Sequence, residues 1–190
     1  MTLRQERRKN QALILNILYM HTKKIIFIIA QDQFRDEELF DTKKVLDEAG
    51  FRTQVASKTR EAATGKLGAK VQPDLAIHEI NPDELDALVF VGGSGSRVYF
   101  DDAEALLLAK TVHHRGKLVA AICAAPSILM NAGILQGMKA TSHPSEAANL
   151  KTKGAIYTGK PVEVENSIIT GRDPEAATDF GKAIAERLAK

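Results

Sequence analysis

One cysteine occurs in the 190 residues, and it stands in "KLVAAICAAPSIL", between an apolar run and a helix start. Thiolates are nucleophiles, so the chemistry on offer is covalent attack on an electrophilic carbon or reversible oxidation of the sulfur. Small residues flank it: Ala120 and Ala121 before Cys123, Ala124 and Ala125 after it. They permit a tight strand–turn–helix, the geometry of a nucleophile elbow. Pro126 suits a first helical turn, and a thiol there faces the positive end of a helix dipole, which favours thiolate. Two other features converge on the same sheet edge. "VFVGGSGS" puts Gly92 and Gly93 at a strand end, where backbone N–H groups can approach a substrate as oxyanion donors. No Gly-Lys-Ser/Thr follows, so this is not a Walker loop. "FRDEELF" supplies Asp36, Glu37 and Glu38, and its spacing leaves open which of the three, if any, turns inward rather than serving the helix dipole. Singly, a lone cysteine is most often a buried hydrophobe and Gly-Gly a turn. The reading rests on their convergence.

Those residues need a frame. "KKIIFIIA" is a continuous β-branched run, the pattern of a strand buried on both faces. "RDEELFDTKKVLDEAG" reads as a helix closed by Gly50, and "FRTQVAS" as a strand. "KVQPDLAIHEI" is a short strand pair broken at Pro73-Asp74, and "ALVFV" a strand entering the glycine loop. "DDAEALLLAKTVHHRG" is a helix with acids first and basic residues last. "KLVAAI", "KATS", "AIYTG" and "PVEVENSIITG" read as strands, "APSILMNAG" and "DPEAATDFGKAIAERLA" as helices, and "HPSEAANLKTKG" as loop or helix. This alternation implies an α/β fold with a mainly parallel sheet and helices on both faces. In such a sheet, ligands bind beyond the carboxyl ends of the strands, where Cys123 and the glycine loop fall.

Composition narrows the class. The net charge is +2, with basic residues spread along the chain, and aromatics are 5%. Neither points to nucleic acid. One cysteine allows no disulfide within the chain and fits a reducing, cytoplasmic compartment. Residues 1–22 form a basic leader with an apolar stretch, "ALILNILYM", too short for a membrane span of about 20 residues and lacking a signal-cleavage site. Two readings of it stand: an amphipathic helix docked on the domain or a partner, or an upstream extension with Met20 as the biological start. Residues 23–190 read as one domain.

From Lys23 to Lys190 the chain resembles the ThiJ/PfpI superfamily, which includes the parkinsonism-associated deglycase, the PfpI intracellular proteases and glutathione-independent glyoxalases. "KKIIFIIA", "FRDEEL", "VFVGGSGS", "AAICAAPSIL", "ATSHP" and "GAIYTGKPVEVENSIITGRDPEAATDFG" follow in family order. The resemblance implies a flavodoxin-like three-layer sandwich, a homodimer, and chemistry without metal or organic cofactor. It makes Cys123 the nucleophile, selects Glu38 as its acidic partner, and assigns the oxyanion donors to the backbone N–H groups of Gly93 and Ala124. Gly92 and Arg172 are expected at the pocket, with Asp173 as a helix cap. The protease branch carries histidine after the cysteine; here Ala124 stands there. The deglycase-like branch has alanine, with a later His-Pro matched by His143-Pro144, so that His143 is either a base or a pocket wall. An ionised Glu38 would raise the thiol pKa, whereas a protonated one donates to the thiolate. His113 and His114 point about 100° apart on a helix and are poor joint metal ligands. His78 and His21 have no identifiable partner.

The function expected first is a cysteine-dependent enzyme acting on small reactive aldehydes, converting methylglyoxal to lactate or removing methylglyoxal adducts. An oxidative-stress sensor working through Cys123 oxidation is the alternative from another class. A cysteine peptidase comes third, weakened by Ala124.

Overall fold

The computed structural model describes Gln5 and residues 23–190. The leader readings and His21 lie outside the described residues. Among the described residues twelve strands and five α-helices are formed, the strands being β1 (Lys24–Ile28), β2 (Asp32–Phe34), β3 (Arg52–Ser57), β4 (Ala63–Gly65), β5 (Lys70–Val71), β6 (Leu75–Ala76), β7 (Ala87–Phe90), β8 (Leu118–Ile122), β9 (Lys139–Ala140), β10 (Ile156–Tyr157), β11 (Val162–Glu165) and β12 (Ile168–Gly171). The α-helices among the described residues are α1 (Asp36–Glu48), α2 (Ala103–His114), α3 (Pro126–Asn131), α4 (Ala147–Thr152) and α5 (Ala177–Leu188). Seven strands form the main sheet in the order β11-β12-β8-β7-β1-β3-β6. Every pairing in it is parallel except β11 with β12.

The β-branched runs form central strands because both faces are covered. Alternate residues of β1 and the two that follow it enter opposite cores: Ile25, Phe27 and Ile29 on one side, Ile26, Ile28 and Ala30 on the other. Strands β7 and β8 alternate in the same way, with Val89 and Ile122 on the first side and Phe90 and Ala121 on the second. Helices α1 and α5 cover the first face through Leu39, Leu46, Phe180 and Ile184; α2, α3 and α4 cover the second through Leu108, Val112, Ile128 and Leu150. Each fully buried side chain of this size contributes about 1.5–3 kcal/mol. The result is the mainly parallel sheet with helices on both faces read from the alternation, in the flavodoxin-like three-layer arrangement that the family resemblance implies. Among the described residues no helix is long and apolar enough to cross a membrane.

The chain departs from the expected pattern at two places. "KVQPDLAIHEI" divides between sheets: β5 joins a separate three-stranded sheet, β2-β4-β5, whereas β6 is an edge of the main one. "KATS" supplies β9, which pairs in parallel with β10 outside the main sheet. Three-residue strands such as β2 carry too little periodicity to be read from sequence. Strand β2 nevertheless matters, because the glycine loop after β7 packs directly on it.

That packing depends on missing side chains. A Cβ on Gly95 would lie 1.8 Å from the Asp32 carbonyl oxygen, and backbone has nowhere to yield. Around it, Arg35 N–H donates to Gly92 O (3.1 Å), and the Ser96 hydroxyl donates to Gly93 O (2.7 Å). Gly95→Ala should therefore cost about 2–3 kcal/mol, or roughly 5–10 °C in Tm by calorimetry. An unchanged Tm would show that β2 and the loop are not packed this way.

Candidate active site

Strand β8 ends at Ile122 and α3 begins at Pro126, leaving Cys123, Ala124 and Ala125 to make the turn. Cys123 has φ +63°, a left-handed conformation that costs an L-residue about 1–2 kcal/mol. Hydrogen bonds over-determine it. Cys123 N–H donates to Gly171 O on β12 (2.9 Å), its carbonyl accepts from His143 N–H (2.8 Å), and Ala125 N–H closes on Ile122 O (3.0 Å). The thiol projects into a cavity of about 480 Å³ beyond the carboxyl edge of the sheet. Glu38, Gly93, Ala124 and His143 line the same cavity, so four of the residues expected around Cys123 do meet there.

Glu38 enters from the first turn of α1. That helix is fastened to α5 by the Thr42 hydroxyl, which donates to Ala177 O (3.2 Å), and by the close approach of Gly181. The Glu38 side chain is fully buried. Its Oε2 accepts Gly92 N–H at 2.8 Å. Its Oε1 has no conventional hydrogen-bond partner, and the Cys123 thiol interacts with the carboxyl. Gly92 is the hinge of this contact. A Cβ there would lie 2.6 Å from Glu38 Oε2, 2.7 Å from Ile122 O and 2.8 Å from Cys123 Cβ. Only glycine lets the ends of β7 and β8 and the start of α1 meet.

The two titratable groups respond to this confinement. Burial pushes Glu38 up to about 7, against smaller opposing pulls from the thiol, Gly92 N–H and Arg35. Burial first, and then the Glu38 carboxylate, push Cys123 up to about 12; Gly93 and Ala124 N–H pull it down. The expectation of a dipole-activated thiolate is thus corrected for the ionised form of Glu38. Helix α3 has six residues, and desolvation beside a like charge outweighs its dipole. Protonating Glu38 removes that repulsion and leaves the two N–H groups aimed at the sulfur.

The three consecutive acids separate as helical rotation requires. Asp36 turns to the 65–69 turn, its carboxylate accepting Leu67 N–H (2.8 Å) and Ala69 N–H (3.0 Å). Glu37 pairs with Arg35 at 2.9 Å. Only Glu38 reaches the thiol.

Two expected pocket residues do not line the cavity. Gly92 lies beneath it, its N–H committed to Glu38. Arg172 turns to Asp173 (2.5 Å) and to Gly159 O (3.3 Å). Asp173 does line the cavity, and it caps the following turn by accepting Ala176 N–H at 3.2 Å. His113 and His114 close α2 with rings 6.2 Å apart, and His78 lies in a short 3-10 turn; none borders the cavity. Among the described residues, no group of three or more His, Cys, Asp or Glu is placed to hold a metal. Sequence reasoning missed Lys66, Ser94, Arg97, Ser145 and Glu175 on the cavity wall. Arg97 follows the glycine loop directly, and that position was its one readable signal.

A family model for the DJ-1/PfpI family matches residues 23–187. A deglycase of Pyrococcus abyssi is 38% identical over 78% of this chain and 90% of its own. Deglycase PfpI of Pyrococcus furiosus is 36% identical over 80% of this chain and 90% of its own. Among solved structures, a ThiJ/PfpI domain protein from Brachyspira murdochii superposes with a TM-score of 0.86 at 34% identity, covering 88% of this chain and 96% of that one. Drosophila melanogaster DJ-1beta gives 0.82 at 31% identity, covering 88% and 91%. The elbow, the buried acid beneath it and the glycine loop thus sit in a chain that belongs to the DJ-1/PfpI family.

Proposed function

We propose that the protein is a cysteine-dependent enzyme that acts on small reactive aldehydes, converting methylglyoxal to lactate and releasing methylglyoxal from its adducts. The observation that carries this reading is the buried Glu38 carboxyl against the Cys123 thiol at the floor of a small cavity. Relatives named as deglycases support an enzyme of this class. The cavity volume falls within the range of about 300–1,000 Å³ typical of small-molecule sites.

The reaction balances without an oxidant. With the proton on Glu38, the Cys123 sulfur adds to the aldehyde carbon, C1, and its oxygen takes up that proton to give a hemithioacetal. The thiol and the carboxyl act as one unit here, holding a single proton between them. A base, Glu38 or His143, removes the C1 proton, and the electron pair moves towards C2 to make an enediolate. Reprotonation at C2, with the C1 hydroxyl proton passing to the C2 oxygen, leaves a lactoyl thioester. Water cleaves it, the sulfur leaves as thiolate, and the net change is methylglyoxal plus water to lactate. Gly93 and Ala124 N–H stabilise the negative charge as it forms. A homodimer and a cytoplasmic setting accompany this reading.

The alternatives lose support for stated reasons. Residue 124 is alanine, so no adjacent imidazole activates the sulfur for peptide cleavage. Oxidation of the sulfur would draw on the same thiolate but gives the His143 imidazole in the cavity no part.

Purified protein should form lactate from methylglyoxal. Cys123→Ser should lower kcat by about 1,000-fold or more and Glu38→Gln by about 100-fold. No turnover by wild type with Cys123 shown to be reduced would sink the reading and advance the redox sensor.

The pH profile follows from the pair. The singly protonated form dominates between about 7 and about 12. The kcat/KM should therefore rise as pH increases through about 7 and stay level above it; a profile falling across this range would contradict the assignment.

Stability carries the opposite sign. Glu38 binds its proton more tightly folded than unfolded, its pKa being raised from 4.5 to about 7. Its contribution is full below about 4.5 and is lost as pH rises through about 7. In urea titrations Glu38→Gln should gain on wild type by up to about 3 kcal/mol between about pH 4 and pH 8. A difference independent of pH would mean that the carboxyl is not buried as charge.

A further inference from the structure

One buried carboxylate has no part in the reaction so far. Glu146, 4% exposed, lies beside the cavity. Three donors converge on it. The Arg97 guanidinium pairs with Oε1. The Ser127 hydroxyl donates to Oε2 at 3.0 Å, its own oxygen accepting Asn149 Nδ2 at 3.1 Å. The Ser145 hydroxyl donates to Oε1 at 3.0 Å. Ser145 has a single hydroxyl hydrogen, so with that hydrogen on Glu146 its oxygen remains an acceptor. Nδ1 of His143 lies 2.9 Å from it.

We infer that Ser145 and Glu146 are positioning residues that hold His143 in the tautomer protonated at Nδ1, which leaves Nε2 free as the base that moves the substrate proton. The chain runs Nδ1–H to Ser145 Oγ, and Ser145 O–H to the Glu146 carboxylate. It repeats the logic of a carboxylate orienting a catalytic imidazole, with a hydroxyl interposed. The ring is also placed by its backbone, since His143 N–H donates to the Cys123 carbonyl at 2.8 Å and Glu146 N–H returns to His143 O at 2.9 Å. The imidazole, the carboxylate and the elbow are thus fixed to one another.

A competing contact exists. Ser145 N–H points at Nδ1 from 3.2 Å and stabilises the opposite tautomer, with the proton on Nε2. The hydroxyl chain ends on a charge, and charge-assisted hydrogen bonds are roughly twice as strong as neutral ones. It also becomes stronger at the step that matters, when Nε2 takes the C1 proton and the ring turns cationic. The same imidazolium then delivers that proton to C2, so the base returns to its starting form. Glu38 is left to the sulfur alone.

This inference rests on the aldehyde reading for its substrate, but its test does not. Ser145 is exposed, so its replacement leaves the core untouched. Histidine labelled with ¹⁵N would be examined by long-range nitrogen–proton NMR, the His143 signals being identified by their loss in His143→Gln. Wild type should show Nδ1 protonated and Nε2 bare. Ser145→Ala, which keeps only the amide contact, should switch the ring to the Nε2-protonated tautomer, lower kcat about 10-fold or more and leave KM within about 2-fold. Ser145→Thr should restore both the wild-type pattern and the rate. An Nε2-protonated ring in wild type, or a Ser145→Ala protein with wild-type signals and wild-type kcat, overturns the inference. Wild type with Nδ1 protonated but no methylglyoxal turnover overturns the aldehyde reading and leaves the tautomer assignment standing.

Discussion

The contact between the Glu38 carboxyl and the Cys123 thiol sets the terms for everything around it. Neither group accepts a charge easily where it lies, because burial raises both pKa values and each charge opposes the other. Above about pH 7 the pair therefore holds one proton, with two places to put it. The fixed N–H groups are divided between those places: Gly92 addresses the carboxylate, whereas Gly93 and Ala124 address the sulfur. Moving the proton from sulfur to oxygen exchanges one set of dipoles for the other without moving any backbone. That is preorganisation in its simplest form, since no solvent must reorient when the sulfur becomes anionic.

Holding the pair together consumes conformational freedom over much of the fold. Among the described residues three non-glycine positions have positive φ: Gln33, Cys123 and Asn166. Asn166 is a turn residue suited to that region. The other two bracket the glycine loop, whose Gly93 would place a Cβ 2.4 Å from Gln33 O. Strain is thus concentrated where β2, the glycine loop and the elbow meet. Hydrogen bonds to β12 and to the His143 segment keep Cys123 in place. Glycine at 123 would relieve the backbone and remove the thiol. Local stability is traded for a sulfur presented above the sheet, the compromise expected of a functional site.

How much of this was legible depends on the length scale of each signal. The central strands announced themselves because their apolar runs carry β-branched residues, unlike the Leu/Ala run inside α2, and β1, β7 and β8 formed as read. The site's own residues were legible to differing degrees. Cys123 was visible as the lone thiol at a strand end. Glu38 was not separable from Asp36 and Glu37 by composition, because rotation of about 100° per residue sends three adjacent acids to three different partners. Family order selected it, and full burial supplies the reason. The thiol's environment was misjudged from the dipole because sequence shows where a helix starts but not how deeply its first residues are desolvated. Arg172 was misplaced because its neighbour Asp173 competes for it at closer range than any cavity ligand. Ser145 and Glu146 carried no signal at all: a turn brings the Ser145 hydroxyl onto the imidazole two positions before it and the Glu146 carboxylate onto that hydroxyl, an arrangement no spacing rule announces.

Proton accounting explains why such a site needs a second network. In the proposed reaction the single proton shared by Cys123 and Glu38 is committed when the sulfur attacks, since it must neutralise the new alkoxide. The hydrogen on C1 then requires another acceptor, and the carboxylate just created at the cavity floor is poorly suited to collect it. Its Oε2 is tied to Gly92, and both oxygens lie buried beneath the sulfur that carries the substrate. The exposed imidazole of His143 shares the cavity with the thiol but belongs to a separate chain of hydrogen bonds, ending on Glu146 rather than Glu38. Two carboxylates in two environments can therefore serve two steps. Under the proposed mechanism Glu38, shielded and pressed on sulfur, exchanges its proton with the Cys123 thiol. Glu146, surrounded by three donors and linked through a hydroxyl, would steady the imidazolium that the inferred base step creates.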